Sequence, residues 1–305
     1  MNKEIVFIVG PTTAGKTEVA VCFAEKAKAE IISCDSMQVY KGMDIITSKP
    51  PPILRKRVRH HLIGAVSPAS EYNVARYCRD ALRKIKAIMR KGKLPIFVGG
   101  TGLYMSVLID GIFRRKCENQ IIRNRLYKQA EQFGSAYLYK KLEGVDPEAA
   151  VKIHPHDTKR IVRALEVFET TGKPISFFQR QRKGLGHEYE VKVFCLNMPR
   201  EELYKRIDER VERMFSRGLV REVKKLLKSR LSRTASCAIG IKELKGYFDG
   251  EYDLEKAKRL IKRNTRLYAK RQLTWFRKDK RINWIEVSEK EKPASVAKRL
   301  WKELC

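Results

Sequence analysis

The chain has 305 residues, 43% of them apolar, which is enough for one large domain or two modest ones with a proper core. Lys and Arg number 66 against 35 Asp and Glu, a formal net charge of +31 that points to a polyanionic partner, with nucleic acid foremost. No apolar stretch is long enough for a membrane-spanning helix, and seven cysteines without a C-x-x-C pair exclude a zinc ribbon or a disulfide framework, so free thiols in a reducing cytoplasm are expected.

Residues 4–9 are short, β-branched and continuously apolar, and predict a buried strand. That strand begins within a few residues of Met1, so no signal or transit peptide is expected. Gly10 to Gly15 form a turn, and Thr17 through Lys28 predict a helix with Val19, Ala20, Phe23, Ala24 and Ala27 on one face. Ile31 to Cys34 read as a second strand ending at Asp35. Pro50-Pro51-Pro52 marks a loop, and Asn73 to Arg90 is a basic amphipathic helix. Leu94 to Val98 is a third strand running into Gly99-Gly100-Thr101-Gly102. Strands alternating with helices predict a parallel α/β sheet, whose ligands sit at the carboxyl ends of the strands. Gly10 to Thr17, Asp35 and Thr101 all fall at such ends.

From about Phe113 the strands vanish, and Val191 to Leu196 resumes the sheet. Residues 113–188 therefore read as a mostly helical insertion into a core made of 1–112 and 189–305. Within it Asp157 is placed as an N-cap. Ile161, Ala164, Leu165 and Phe168 share a face, and Gly172 with Pro174 ends the helix. Lys159, Arg160 and Arg163 lie on neighbouring turns, which suits either a solvated face or, in so basic a chain, phosphate contacts. Helices follow from Arg200 to Lys228 and from Asp253 to Lys278, the latter strongly basic with Tyr268, Trp275 and Phe276 as core aromatics, and Ile282 to Val287 is a last strand.

Gly10-Pro11-Thr12-Thr13-Ala14-Gly15-Lys16-Thr17 has the spacing of a P-loop, G-x-x-x-x-G-K-[ST], with a strand before it and a helix after. Such a loop holds a diphosphate on backbone N–H groups and a helix N-terminus, Lys16 supplies a cation and Thr17 a hydroxyl for Mg²⁺. A phosphoryl-transfer enzyme usually ends a later strand in a metal-holding acid. Here that strand ends in Gly-Gly-Thr-Gly, and the carboxylate facing the loop is Asp35. It can serve a metal or act as a base on a nucleophile; in the second case the diphosphate is a leaving group.

Asp35-Ser36-Met37-Gln38-Val39-Tyr40 resembles the signature of the tRNA dimethylallyltransferases, also called tRNA isopentenyltransferases. The P-loop, Val98 to Tyr104, Ile153-His154-Pro155 with Asp157 and Arg160 to Leu165, and Thr171 to Pro174 are similar to that family's motifs. So are Arg206, Arg210, Met214, Gly218-Leu219, Glu222, Ile239-Gly240 and Tyr268 to Arg277. The resemblance spans nearly the whole chain in order. It implies a P-loop NTPase-like sheet with a helical insertion contacting tRNA. The implied reaction moves a dimethylallyl group from dimethylallyl diphosphate to the N6 amine of the adenine beside the anticodon on its 3′ side, with Mg²⁺, in a cytoplasmic monomer. By resemblance Gly10, Pro11, Thr12, Thr13, Ala14, Gly15, Lys16 and Thr17 hold the diphosphate, with Thr17 on the metal. Lys16 and Arg210 neutralise the leaving group, Asp35 takes the amine proton, and Thr101 sits near the reacting carbon. The anticodon stem-loop is expected on Asp35, Ser36, Met37, Gln38, Thr101, Arg123, Lys159, Arg160, Ile161, Val162 and Arg163. Ile46 stands where the family usually has glycine, His156 replaces a usual asparagine, and the cysteine-histidine finger of eukaryotic relatives is absent, which suits a bacterial-type enzyme. An adenylate isopentenyltransferase, a P-loop small-molecule kinase and a non-catalytic RNA-binding protein are the alternatives.

Overall fold

A computed structural model describes residues 3–112 and 118–304. Cys117, Cys305 and the expected start of the insertion at Phe113 lie outside the described residues. The chain divides into two compact units, Met1–Ile109 with Leu185–Cys305, and Asp110–Gly184. The second crossing comes before residue 188 because Leu185 is buried in the core of the sheet unit.

The sheet unit contains β1 (Glu4–Val9), α1 (Lys16–Lys26), β2 (Ala29–Ser33), α2 (Pro52–Arg57), β3 (His60–His61), α3 (Val74–Met89), β4 (Leu94–Gly99) and nearly all of α4 (Gly102–Asp110). The insertion unit follows, with α5 (Gln120–Val145), α6 (Pro147–Lys152), α7 (Thr158–Thr171) and α8 (Ile175–Arg180). The chain then returns through β5 (Glu190–Asn197), α9 (Arg200–Ser216), α10 (Leu219–Leu227), α11 (Ile241–Phe248), α12 (Leu254–Phe276), β6 (Ile282–Glu286) and α13 (Pro293–Leu304). No helix among the described residues is long and apolar enough to cross a membrane.

The strands form one parallel sheet in the order β3-β2-β4-β1-β5-β6. From Ile5 onward β1 is apolar because both faces are covered: Ile5, Phe7 and Val9 enter one core layer, Val6 and Ile8 the other. Phe7 stacks on Phe97 of β4 with ring centroids 4.5 Å apart. The register sets the site. Val9 lies opposite Gly99 on β4 and Cys195 on β5, and Ser33 of β2 opposite Val98. The strand ends are thus level, and the loops opening at Gly10, Cys34 and Gly100 emerge side by side.

Several elements differ from the sequence expectations, which assign no helix to α2, α4 or α11. The stretch Arg200 to Lys228 is divided at Gly218, whose φ of +95° no continuing helix adopts. The edge strand β3 has two residues, too few for any periodicity. α13, beyond the last expected strand, packs Val296, Ala297 and Leu300 against the layer containing α1.

The insertion unit has its own core of Leu126, Leu138, Leu142, Ile161, Ala164 and Leu165. Asp157 caps α7, accepting the Arg160 N–H at 3.1 Å, and Gly172 closes it with φ +68°. α5 breaks at Gly134, φ +80°.

Candidate active site

β1 ends in Gly10, where φ is +140° and a Cβ would lie 2.5 Å from the Leu196 carbonyl oxygen, so the position demands glycine. Gly15, φ +78°, turns the chain into α1 without a side-chain cap, leaving the first-turn N–H groups facing the loop. Lys16 folds back across the loop, its Nζ donating to the Pro11 carbonyl at 2.6 Å. Burial, with the nearby Arg210 guanidinium, pushes the Lys16 ammonium down from 10.5 to about 8. Arg210, from α9, donates to the Thr12 hydroxyl at 2.6 Å. Burial lowers the Arg210 guanidinium, and the Asp35 charge opposes that. Two cations and the loop N–H groups thus line one cleft, a cradle for a polyanion such as a diphosphate. Thr17, the second residue of α1, lines the same cleft.

Asp35 follows β2. Its Oδ1 accepts the N–H groups of Met37 at 2.8 Å and Gln38 at 3.2 Å, a turn that fixes the carboxylate while Oδ2 has no hydrogen bond among the described residues. Both Lys16 and Arg210 feel its charge. Thr101 sits beyond β4, its N–H on the Cys34 carbonyl at 3.1 Å and its Oγ1 accepting the Ser36 N–H at 3.1 Å. The Tyr268 phenol lies beside Thr101; burial and the Asp35 charge push that phenol well up. Gln38 turns away to accept the Ser33 hydroxyl at 3.1 Å. The glycines around Thr101 are dictated by close approach: a Cβ at Gly99 would lie 2.1 Å from the Cys34 carbonyl oxygen, at Gly100 2.0 Å from Gln272 Nε2, and at Gly102 2.2 Å from the Trp275 ring.

Thr12, Lys16, Thr17, Asp35, Gln38, Gly100, Arg210 and Tyr268 line a cleft of about 1120 Å³ that also takes in Arg206, Met214, Ile239 and Arg271, whereas Thr101 is not among the residues lining it. Two supporting residues carry no role in the sequence reading. Gln272 binds Thr12 and Gly100, and Glu222 of α10 accepts the consecutive N–H groups of Asp44, Ile45 and Ile46 at 2.9–3.0 Å. Glu222 was legible as a motif residue, whereas Gln272 looked like one more polar residue in a charged helix. Ile46, where the resemblance implies a glycine, donates its N–H to Glu222 and packs toward Gly240, and its φ is not positive, so the backbone here does not require glycine.

In the insertion unit the expected RNA-contacting set divides. Lys159 and Arg160 are exposed. Arg123 and Arg163 both bind the fully buried Glu166, at 3.0 and 2.8 Å. Ile161 and Val162 are 0% and 1% exposed in the unit's core, so their side chains are not available to RNA; they sit on the inward face of α7. Among the described residues no group of three or more His, Cys, Asp or Glu could hold a metal, so a cation at this site would bind substrate oxygens with few protein ligands.

A family model described as IPP transferase matches residues 38–279, and one described as isopentenyl transferase matches residues 3–65. A tRNA dimethylallyltransferase of Geobacter sulfurreducens is 48% identical over 285 residues, 93% of this chain and 92% of that protein. The chain belongs to the tRNA dimethylallyltransferase family. Another member, from Carboxydothermus hydrogenoformans, is 46% identical over 302 residues, 98% of this chain and 97% of the relative. Among solved structures, the tRNA isopentenylpyrophosphate transferase of Bacillus halodurans superposes with a TM-score of 0.71 at 38% identity, covering 99% and 97% of the two chains. A eukaryotic dimethylallyltransferase acting on tRNA gives 0.83 at 30% identity, covering 98% of this chain and 78% of that one.

Proposed function

We propose that this member of the tRNA dimethylallyltransferase family takes the dimethylallyl group of dimethylallyl diphosphate to the N6 amine of the adenine 3′ to the anticodon in tRNA. The observation that carries the reading is a diphosphate cradle with two cations, Lys16 and Arg210, facing a carboxylate, Asp35, with one oxygen unengaged. The N6–carbon bond forms as the carbon–oxygen bond breaks, the electron pair leaves on the diphosphate, and the amine proton passes to Asp35. Lys16, Arg210 and the loop N–H groups take up the charge that develops on the leaving oxygen. An adenine amine is a weak nucleophile, so its alignment by Asp35 and Thr101 supplies much of the rate. The Thr17 hydroxyl beside the cradle suits Mg²⁺, which takes substrate phosphates and water with few protein oxygens; when bound it adds positive charge at the diphosphate.

The base must leave its stack to enter the cleft, and an unpaired anticodon loop makes that inexpensive. Lys159 and Arg160 are proposed as phosphate contacts, with Arg123 and Arg163 held ready by Glu166. A cytoplasmic monomer is the proposed working form. The adenylate alternative leaves the basic insertion unused, and the kinase alternative lacks an acid after β4, where Gly99 and Gly100 stand.

Incubation with labelled dimethylallyl diphosphate, Mg²⁺ and either unmodified tRNA or AMP tests the reading. Label is expected on tRNA and lost in Asp35→Ala. Label on AMP alone, or ATP consumption without transfer, overturns it.

A further inference from the structure

α12 presents Tyr268, Gln272 and Trp275, at i, i+4 and i+7, along one face to loops far away in sequence. Gln272 stands between two of them. Its Oε1 accepts the Thr12 N–H at 2.9 Å, and its Nε2 donates to the Gly100 carbonyl at 2.8 Å, with the residue only 6% exposed. One turn earlier Tyr268 lies beside Thr101, and one turn later the Trp275 indole N–H lies 3.4 Å from the Ser106 hydroxyl. Thr12 is itself held from the other side by Arg210. A single rigid helix therefore spans the loop that grips the leaving group and the loop beside the acceptor. A primary amide suits this place because it accepts from an N–H and donates to a C=O at once; an ionised carboxylate accepts only. Both backbone partners stand at a nearly dry junction, where an unmade bond is costly.

We infer that Gln272 is a positioning residue that sets the separation of the diphosphate loop and the acceptor loop, and through it the distance between the transferred carbon and the attacking amine. This rests on the prenyl-transfer reading. Both ends of the Gln272 amide are taken by Thr12 and Gly100, and it acts through them. A misplacement of about 1 Å in such a reaction costs about a hundredfold in rate.

Three substitutions test it. Gln272→Ala should lower kcat about a hundredfold while KM for both substrates stays within about threefold, since each loop still binds its own partner. Gln272→Glu keeps the shape, but only its protonated form donates to Gly100, so its activity relative to wild type should rise as the pH falls toward the carboxyl range of about 4–5. Gly100→Ala would place a Cβ 2.0 Å from Gln272 Nε2 and 3.3 Å from the Gly10 carbonyl oxygen. Adding Gln272→Ala removes the nearer clash, so the double variant should be more active than Gly100→Ala alone. A packing role alone predicts neither the pH rescue nor the suppression. Hydrogen exchange at the Thr12 amide reads the bond without any turnover: it should be slow in the wild type and fast in Gln272→Ala. Wild-type kcat in Gln272→Ala, a flat pH ratio for Gln272→Glu, or unchanged Thr12 exchange would overturn the inference. If Gln272→Ala fails to fold, the Gln272→Glu profile decides. Inactive wild type with the exchange difference intact would instead defeat the prenyl-transfer reading.

Discussion

Lys16 gives the sharpest quantitative consequence. Burial and Arg210 hold its ammonium down at about 8, so the empty cradle carries a cation that titrates within the working range. At pH 7 about 9% of the side chain is neutral, at pH 8 about half, and at pH 9 about 90%. If only the charged form binds the diphosphate well, the dissociation constant scales as one plus ten to the power of pH minus 8, with 8 the value for Lys16. It then weakens about tenfold between pH 7 and 9, about 1.4 kcal/mol. The sign is definite: the lowered ammonium favours the neutral form, so affinity is full below about pH 7 and is lost as pH rises through 8. The ligand does not confuse this range, because a terminal phosphate loses its last proton near pH 6. The assay is calorimetry of dimethylallyl diphosphate without RNA, in two buffers of different ionisation heat. About half a proton should be taken up per ligand at pH 8. Lys16→Arg carries a fixed charge and should bind with no such slope. Constant wild-type affinity from pH 7 to 9, without proton uptake, would refute the assignment, as would an equal fall in Lys16→Arg.

Other outcomes follow from groups away from the chemistry. Glu30, 2% exposed, accepts from His61 at 2.7 Å, Lys93 at 3.1 Å and Lys91 at 3.2 Å. Burial alone would raise its carboxyl, but these bonds outweigh it and hold it down to about 2. Glu30→Gln should cost about 1–3 kcal/mol at pH 7, discounted because both lysines are half-exposed. The wild-type advantage is full above the unfolded value of about 4.3, so thermal melts of the two proteins should converge as pH falls from there toward 2. Gly99→Ala drives a Cβ to 2.1 Å from the Cys34 backbone and should cost about 3 kcal/mol or more by urea unfolding; a wild-type midpoint would contradict the close approach. Glu166→Ala leaves Arg123 and Arg163 without their buried counter-charge. It should destabilise the insertion unit by about 3 kcal/mol, seen as faster proteolysis within residues 118–184 while the sheet unit melts unchanged.

Much of the site was legible because its residues are adjacent in sequence: a P-loop announces itself by spacing, and Asp35 and Thr101 by their places just past apolar runs. β1 from Ile5 onward and β4 were readable because strands covered on both faces are runs of apolar residues. What escaped depends on contacts that no local pattern encodes. Gln272 matters only through Thr12 and Gly100, 260 and 172 residues away. Arg123 and Arg163 read as free cations because the acid that holds them, Glu166, is hidden on the inner side of a helix whose polar residues otherwise look solvated. Ile161 and Val162 were carried into the RNA set with their neighbours, although Ile161, with Ala164, Leu165 and Phe168, already marked the inward face of α7. α13 had its own signal, a proline at the first turn and Val296, Ala297 and Leu300 on one face, which the expectations stopped short of.

The entry and exit of the insertion lie against each other. A Cβ on Gly111 would come within 2.6 Å of the Lys183 backbone, and one on Gly186 would be 3.4 Å from the Ile109 carbonyl oxygen. Two chain segments that meet at the base of an excursion can be rejoined without moving either. The insertion is therefore a graft that one genetic event can add, trade or excise while the sheet keeps every one of its strands. A deletion joining Ile109 to Leu185 through a few flexible residues should yield a folded sheet unit that retains the diphosphate cradle.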